Sequence, residues 1–398
     1  MEEAKQDQSV EALKLDAFQK NAAIMGLGGN VIESINMGLS MSALTTLQLH
    51  GGKCGFRLED EHVGVVASCL QQAGAEVSTL SLTYHSITGV GVEYISRSLL
   101  GGIAATNDIK LMKLDLEGNE IKEDGLRNLQ LHNSNVCPLL HLNVSGNPLG
   151  EEGGMVIADS MKTNTTLEEL VVNNCGFPLT AMIAIANGIG SQGSDSVLRA
   201  LEINRPIVPQ YAPGEESLEH FSMLLGKIPP LSHLSFKYHT MLDSGARLFG
   251  QSLGKTDVML SLNLECNKIG VAGAEALASY LIAQSRAGKN TLEVLCLSYN
   301  VVSDQGAIAL ADAIVENKSL RCLTLKSNSI AQAGLTALGD AISKNNTMRY
   351  LSLFGNDFSV NAVGKQFNSL IEQRLPYTGL ELDVKTYVVD GVYQVAEV

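Results

Sequence analysis

The chain has 398 residues, 45% of them apolar and 18% charged, enough for a continuous core and too apolar for a disordered chain. Its formal charge of -14 excludes broad attraction to phosphate backbones or anionic membranes, which need clustered lysine and arginine. Nucleic acid and membrane are therefore not expected partners; a basic protein surface is the easier electrostatic match.

The opening Met1-Glu2-Glu3-Ala4-Lys5-Gln6-Asp7-Gln8 lacks the basic-then-apolar order of a secretory leader, and no later apolar run reaches bilayer length. Seven cysteines (Cys54, Cys69, Cys137, Cys175, Cys266, Cys296, Cys322) are odd in number and widely spaced, with no Cys-x-x-Cys pair, and read as reduced thiols. A cytoplasmic address follows as the expectation. Sequons such as Asn164-Thr165-Thr166 and Asn317-Lys318-Ser319 are then incidental. Residues 1–43 are expected to form a helical amino-terminal cap.

From Leu44 the pattern Leu-x-x-Leu-x-Leu-x-x-Asn-x-Ile recurs, with unit starts at Leu44, Val77, Leu111, Leu139, Leu167, Leu198, Leu231, Met259, Leu292, Leu320 and Met348. Neighbouring starts lie 28 to 34 residues apart, and a step of 28 occurs five times. This period predicts an α/β leucine-rich-repeat solenoid over 44–374, a horseshoe of about eleven repeats with parallel strands on the concave side and helices on the convex side. Leu262, Leu264, Leu295, Leu297, Leu323, Leu325, Leu351 and Leu353 alternate with polar neighbours, as in a strand that buries one face. Asn119, Asn147, Asn267, Asn300, Asn328 and Asn356 fall where the chain leaves the strand, and an amide there can bond the turn's donors and acceptors. His85 and His239 take the same position as structural substitutes, while Cys175 and Pro206 replace the asparagine elsewhere.

Fourteen residues into the units stands a small residue: Gly91, Gly125, Gly153, Gly245, Gly273, Gly306 or Gly334, with Ala181, Ala212 and Ala362 in three others. It is expected to let the returning helix pack close behind the strand. Pro206, Pro209 and Pro213 break up Asn204 through Glu216, and the resulting loop makes Tyr211 a candidate contact. Residues 375–398 are expected to form a β-hairpin cap, signalled by two β-rich runs around Asp390-Gly391.

Catalytic, cofactor and metal sites find no support. Gly250-Gln251-Ser252-Leu253-Gly254-Lys255-Thr256 has the wrong glycine spacing for a phosphate loop and lies at a helix end. The histidines form no His-Glu-x-x-His pair, and no Gly-x-Ser-x-Gly elbow is present. Protein binding through the strand face is the better expectation. Its middle units present Lys113, Asp115, Glu117, His141, Asn143, Ser145, Glu169, Asn173, Glu202 and Asn204, a mildly acidic stretch. Units nine to eleven present Val294, Cys296, Cys322, Tyr350 and Phe354 with Tyr299 nearby, an apolar patch unless the carboxy-terminal tail folds over it.

The span from Leu44 to Asn368 resembles the ribonuclease-inhibitor-like leucine-rich-repeat proteins, most clearly in Leu262-Asn263-Leu264-Glu265-Cys266-Asn267-Lys268-Ile269 followed by Gly273-Ala274-Glu275-Ala276-Leu277. The segment Val389-Asp390-Gly391-Val392-Tyr393 through Ala396-Glu397-Val398 is similar to leucine-rich-repeat-containing proteins of ciliated and germ cells, some of them axonemal components. These resemblances imply a non-enzymatic scaffold or adaptor in a multi-protein assembly, with a cilium or flagellum as one setting. Ran GTPase-activating proteins share the fold and make a GTPase regulator the main alternative, although they typically end in a long acidic tail and this chain in a hairpin. A stoichiometric enzyme inhibitor is a further alternative, set against the far higher cysteine content of ribonuclease inhibitors. Actin-end binding, as in tropomodulin-like relatives, has no motif behind it.

Overall fold

The computed structural model describes residues 45–54, 57–72, 77–100, 111–207, 215–228, 230–289, 291–373 and 379–398. The expected helical cap over 1–43 and the loop residue Tyr211 lie outside them. The chain divides into two compact units, Met1–Leu198 and Arg199–Val398.

In the first unit, strands β1 (Thr46–His50), β2 (Thr79–Thr83), β3 (Lys113–Asp115), β4 (His141–Asn143) and β5 (Glu169–Val171) alternate with helices α1 (Gly51–Cys54), α2 (Asp60–Gln72), α3 (Gly89–Leu99), α4 (Glu123–Leu129), α5 (Gly150–Met161) and α6 (Leu179–Gly190). The second unit runs β6 (Ala200–Glu202), α7 (Glu215–Lys227), β7 (His233–Ser235), α8 (Leu242–Leu253), β8 (Ser261–Asn263), α9 (Val271–Arg286), β9 (Val294–Cys296), α10 (Ser303–Glu316), β10 (Cys322–Thr324), α11 (Gln332–Lys344), β11 (Tyr350–Ser352) and α12 (Asn361–Gln373). It closes with β12 (Glu381–Leu382) and the antiparallel pair β13 (Val384–Val389) and β14 (Val392–Glu397). Each unit start read from the sequence precedes a strand. The carboxy-terminal segment, read from the sequence as a hairpin cap, contributes one more strand besides the hairpin, β12, parallel to β11.

Within each unit the strands pair in parallel with leucine beside leucine. Leu80, Leu114, Leu142 and Leu170 form one such row. Leu201, Leu234, Leu262, Leu295, Leu323, Leu351 and Leu382 form the other. All are buried. A slip of one residue would turn every leucine of a strand to the opposite face, so burial fixes the register.

Three-residue strands make few backbone bonds, and side chains bridge the gap between repeats. The Asn300 carbonyl oxygen accepts from the Asn267 and Ile269 amides of the preceding repeat at 2.9 and 3.0 Å. Its amide donates to Leu264 O of that repeat at 3.1 Å and to Leu297 O of its own at 2.8 Å. Asn119, Asn147, Asn267, Asn328 and Asn356 donate in the same way to Leu82, Leu116, Phe236, Leu297 and Leu325.

His85, His239 and Cys175 preserve the donor, and Pro206 does not. His85 Nε2 lies 3.3 Å from Leu49 O while its Nδ1 accepts from the Leu58 amide at 3.1 Å, so it is a neutral imidazole acting as donor and acceptor. His239 Nε2 reaches Ile203 O at 2.6 Å, with its ring stacked on Phe236. The Cys175 thiol donates to Val144 O at 3.4 Å.

A second series, absent from the sequence reading, works where helices return to strands. The Asn164, Asn317 and Asn345 amides donate to Leu131 O, Leu281 O and Ile314 O, and their carbonyl oxygens accept from Leu167 N, Leu320 N and Met348 N. All three asparagines are buried. Helix starts are tied across repeats too: Asp60 accepts from Thr88 N and Gly91 N, Asp243 from Gly270 N and Gly273 N, and Asp304 from Ala331 N and Gly334 N. A carboxylate on unpaired amides at a helix start is favoured by both hydrogen bonding and the helix dipole.

The small residue of each unit has a different cause from the one expected. A Cβ on Gly273 would lie 2.6 Å from Ile269 Cγ2 and 2.7 Å from Asp243 Oδ1, and one on Gly334 would lie 2.6 Å from Ile330 Cγ2 and 2.9 Å from Ala307 Cβ. The glycine makes room for the aliphatic residue four positions earlier and for the preceding helix, rather than for the strand. Ala362 departs from the expectation: it is exposed, and Val363 and Gly364 are buried instead. Leu277, Leu310 and Leu338 bury the inner helix faces as anticipated.

Asn300→Ala should leave its partners unpaired inside the protein and cost about 2–3 kcal/mol or more in urea unfolding, whereas Asn300→His should retain part of this. Burial holds His239 down to about 3 and His85 to about 4, so both are neutral when folded. Unfolded histidine binds a proton near its usual 6.5, so their stabilisation is full above pH 6.5 and is lost as pH falls toward the folded values. For His239 the loss between pH 6.5 and 5 is about 2 kcal/mol, and His239→Asn should flatten that part of the stability–pH curve measured by urea titration.

Candidate protein-binding surface

On the strand face of the first unit, the structure joins Asp115 and Glu117. The Asp115 carboxylate accepts from Glu117 N at 3.2 Å and from the Ser81 hydroxyl at 3.3 Å. Burial pushes its pKa up, opposed by the amide of Glu117. Glu117 accepts from the Tyr84 hydroxyl at 2.5 Å and from the Asn143 amide at 3.3 Å, and this bond to Glu117 raises the Tyr84 pKa. Glu169 belongs to a different pair, with His141 Nδ1 at 2.6 Å on the adjacent strand. The carboxylates of the anticipated acidic stretch are therefore engaged by neighbouring side chains and amides. Glu202 lies on β6 in the second unit, half-buried and bonded.

In the second unit, the strand register sets Val294, Cys322 and Tyr350 side by side as one row of half-buried side chains. Cys296 stands in the next row, level with Asn263, Thr324 and Ser352. Phe354 and Tyr299 gather instead around Lys326: the amine lies 5.1 Å from the Phe354 ring centre, and the Tyr299 amide donates to Lys326 O. Glu397 pairs with the same amine and raises its pKa. The hairpin packs on α12, where the Thr386 hydroxyl donates to Asn368 and the Tyr393 amide to Asn361. Its ion pair with Lys326 touches the aromatic cluster, and the row from Val294 to Tyr350 keeps its partial exposure.

Sequence reasoning missed a repeated aromatic position. The residue just before the ladder position adopts positive φ throughout, and in three repeats it is an exposed tyrosine: Tyr84 (φ 60), Tyr238 (φ 63) and Tyr299 (φ 58). A bulky residue there is strained relative to glycine or asparagine. Arg205 lies over the Tyr238 ring at 4.3 Å. The signal was present as Tyr-His and Tyr-Asn at equivalent offsets, but the strand pattern gives no reason to look at it.

Four thiols are held in the protonated, weakly nucleophilic form. Burial pushes Cys296 up to about 11, Cys137 to about 11 and Cys175 to about 12, and also raises Cys322. Among the described residues, no group of three His, Cys, Asp or Glu side chains is placed to hold a metal ion, and no helix is long and apolar enough to cross a membrane. Gly254 is the carboxy-terminal cap of α8, so the Gly250–Thr256 segment lies at the carbonyl end of its helix, the wrong end for an anion.

The sequence pattern described as "Leucine Rich repeat" matches residues 137–158, 258–278 and 288–311. Those spans cover β4 with most of α5, β8 with the first half of α9, and β9 with most of α10. The chain is a leucine-rich-repeat protein. Its parallel strands, asparagine turns and returning helices are those of that repeat. No curated protein matches it in sequence. Among solved structures, it is similar to one titled "Crystal structure of Rad7 and Elc1 complex in yeast", at 15% identity and a TM-score of 0.47, over 95% of this chain and 94% of that one. It is also similar to "Leiomodin-1 Actin-Binding Site 2 (ABS2)", at 17% identity and a TM-score of 0.28, over 34% of this chain and 74% of that one. Neither likeness bears on the partner of this leucine-rich-repeat chain.

With Cys296 near 11 rather than an ordinary 9, its thiolate population in neutral buffer should be about a hundredfold smaller. Mass-resolved labelling with a thiol reagent should leave Cys296 unmodified long after an unfolded control has reacted.

Proposed function

We propose that this chain is a non-enzymatic protein-interaction scaffold or adaptor that binds through the strand face of its second unit. The observation that carries the reading is the row Val294, Cys322 and Tyr350, flanked by Tyr299 and Phe354 around Lys326. A flat array of apolar and aromatic side chains on a fixed sheet, bordered by charge, has the composition of an interface centre. It also needs little ordering on binding, because the leucine rows beneath it set the spacing. Tyr211, beyond the described residues, and Asp115 and Glu117 in the first unit are secondary contacts in this reading, the carboxylates suiting a basic partner. Glu169, which faces the His141 ring, and Glu202 are lesser contacts in this reading.

A cytoplasmic multi-protein assembly fits the thiol-bearing composition, and an axonemal setting and the ribonuclease-inhibitor-like subfamily rest on the sequence resemblances alone. The test is affinity purification of the tagged protein from its native cells, wild type against Tyr350→Asp with Phe354→Asp. A discrete partner set lost in the double variant, with thermal unfolding unchanged, is the expected result. An unchanged set would place the interface elsewhere. Stimulated GTP hydrolysis by a co-purifying small GTPase would replace the scaffold with a regulator, and equimolar inhibition of a co-purifying enzyme would replace it with an inhibitor.

A further inference from the structure

The β13–β14 hairpin turns through Asp390 and Gly391, both at positive φ, as a two-residue turn whose twist suits antiparallel strands. In such a hairpin the closing residues, Val389 and Val392, exchange both backbone bonds, and so do Tyr387 with Gln394 and Lys385 with Ala396. The N–H and C=O groups of Val384, Thr386 and Val388 therefore face away from β14. On β14 the corresponding outward amide, that of Tyr393, is met by Asn361 Oδ1 at 2.7 Å. Among the described residues, β13 has β14 as its strand neighbour and no strand on its other edge, and no backbone carbonyl meets the Thr386 and Val388 amides.

That edge is lightly guarded, with Lys385 as its one protecting charge. Tyr387, Val388, Val389 and Val392 are 49%, 54%, 49% and 40% exposed, making the hairpin tip apolar on both faces. Proline is absent from β13, and Lys385 is its one charged residue. An exposed apolar strand edge of this kind is a template for another strand.

We propose that β13 is a self-association edge, on which the β13 strand of a second copy of this chain adds in antiparallel fashion. The sequence of the strand, Val384-Lys385-Thr386-Tyr387-Val388-Val389, is self-complementary about Thr386. Pairing there sets Thr386 against its own counterpart and Val384 against Val388. Lys385 falls against Tyr387, so no like charges are opposed. The outward backbone groups of both copies then coincide as directly bonded pairs, which is the self-complementarity a two-fold interface requires.

Two carboxylates beside this edge are engaged by other groups, while Asp390 at the turn and Glu381 on β12 stand exposed at its ends. Asp383 accepts from the Ser352 hydroxyl and the Leu353 amide, and Glu397 pairs with Lys326. One strand and a hairpin tip form a contact smaller than a standard interface of about 800 Å² per partner, so the dimer is a reversible one.

Sedimentation velocity of the full chain across a concentration series tests this. Val388→Pro removes an outward amide without touching the bonds to β14, and Val388→Lys places a charge opposite Val384. Wild type should dimerise, and both variants should weaken the dimer by about tenfold or more with thermal unfolding unchanged. Amide exchange at Thr386 and Val388 should slow as wild-type concentration rises. A wild type that stays monomeric to about 100 μM overturns the proposal, as does a dimer that either folded variant leaves intact. If Val388→Pro unfolds, Val388→Lys decides.

Discussion

The bond from a buried side chain of one repeat to the last strand carbonyl of the repeat before it is the interaction on which each unit depends. Strands three residues long cannot hold themselves in place, and helices packed on them fix distance but not registration. A side chain that donates to the preceding carbonyl and, as an amide, also accepts from the preceding turn does fix it. Most substitutions obey that requirement, Pro206 being the departure: asparagine has both groups, His85 reproduces both as a neutral ring, and Cys175 keeps the donor alone. After β12 the bonds run the other way: Asp383, level with Ser352, has acceptors only and accepts hydrogen bonds from the hydroxyl of Ser352 and the amides of Leu353 and Phe354 in the repeat before it.

Much of this was legible because its causes are local and periodic. Alternating leucines give the buried face, the asparagine after them gives the turn, and Asp390-Gly391 gives the hairpin. The cause of the small residues was not legible, because the atoms a Cβ would strike on Gly273 come both from its own turn and from the preceding helix. The bonds of Asn164, Asn317 and Asn345 were missed for a related reason: they sit between the patterns of helix and strand, where no apolar period points to them.

The candidate surface divides in the same way. Val294, Cys322 and Tyr350 could be placed in one row from the sequence, since they hold the same offset in successive units and register does the rest. The His141–Glu169 pair follows from the same arithmetic, yet counting acids alone treats Glu169 as unpaired. Lys326 between Phe354 and Glu397 could not be anticipated, because it depends on the hairpin packing on α12 and bringing its last strand back toward β10.

Asn164, Asn317 and Asn345 are each followed two residues later by threonine or serine, and that spacing has a structural origin. Each carbonyl oxygen accepts from the backbone amide two positions on, at Thr166, Ser319 and Thr347, and in the last two from the hydroxyl as well. The tripeptide read by glycosylation enzymes is here a turn that closes on itself. A sugar on any of these asparagines would replace one of the two hydrogens of the buried amide that reaches the previous repeat. Forced through a secretory route, the chain would offer these sites to modification before folding could hide them, and each one occupied would pry neighbouring repeats apart.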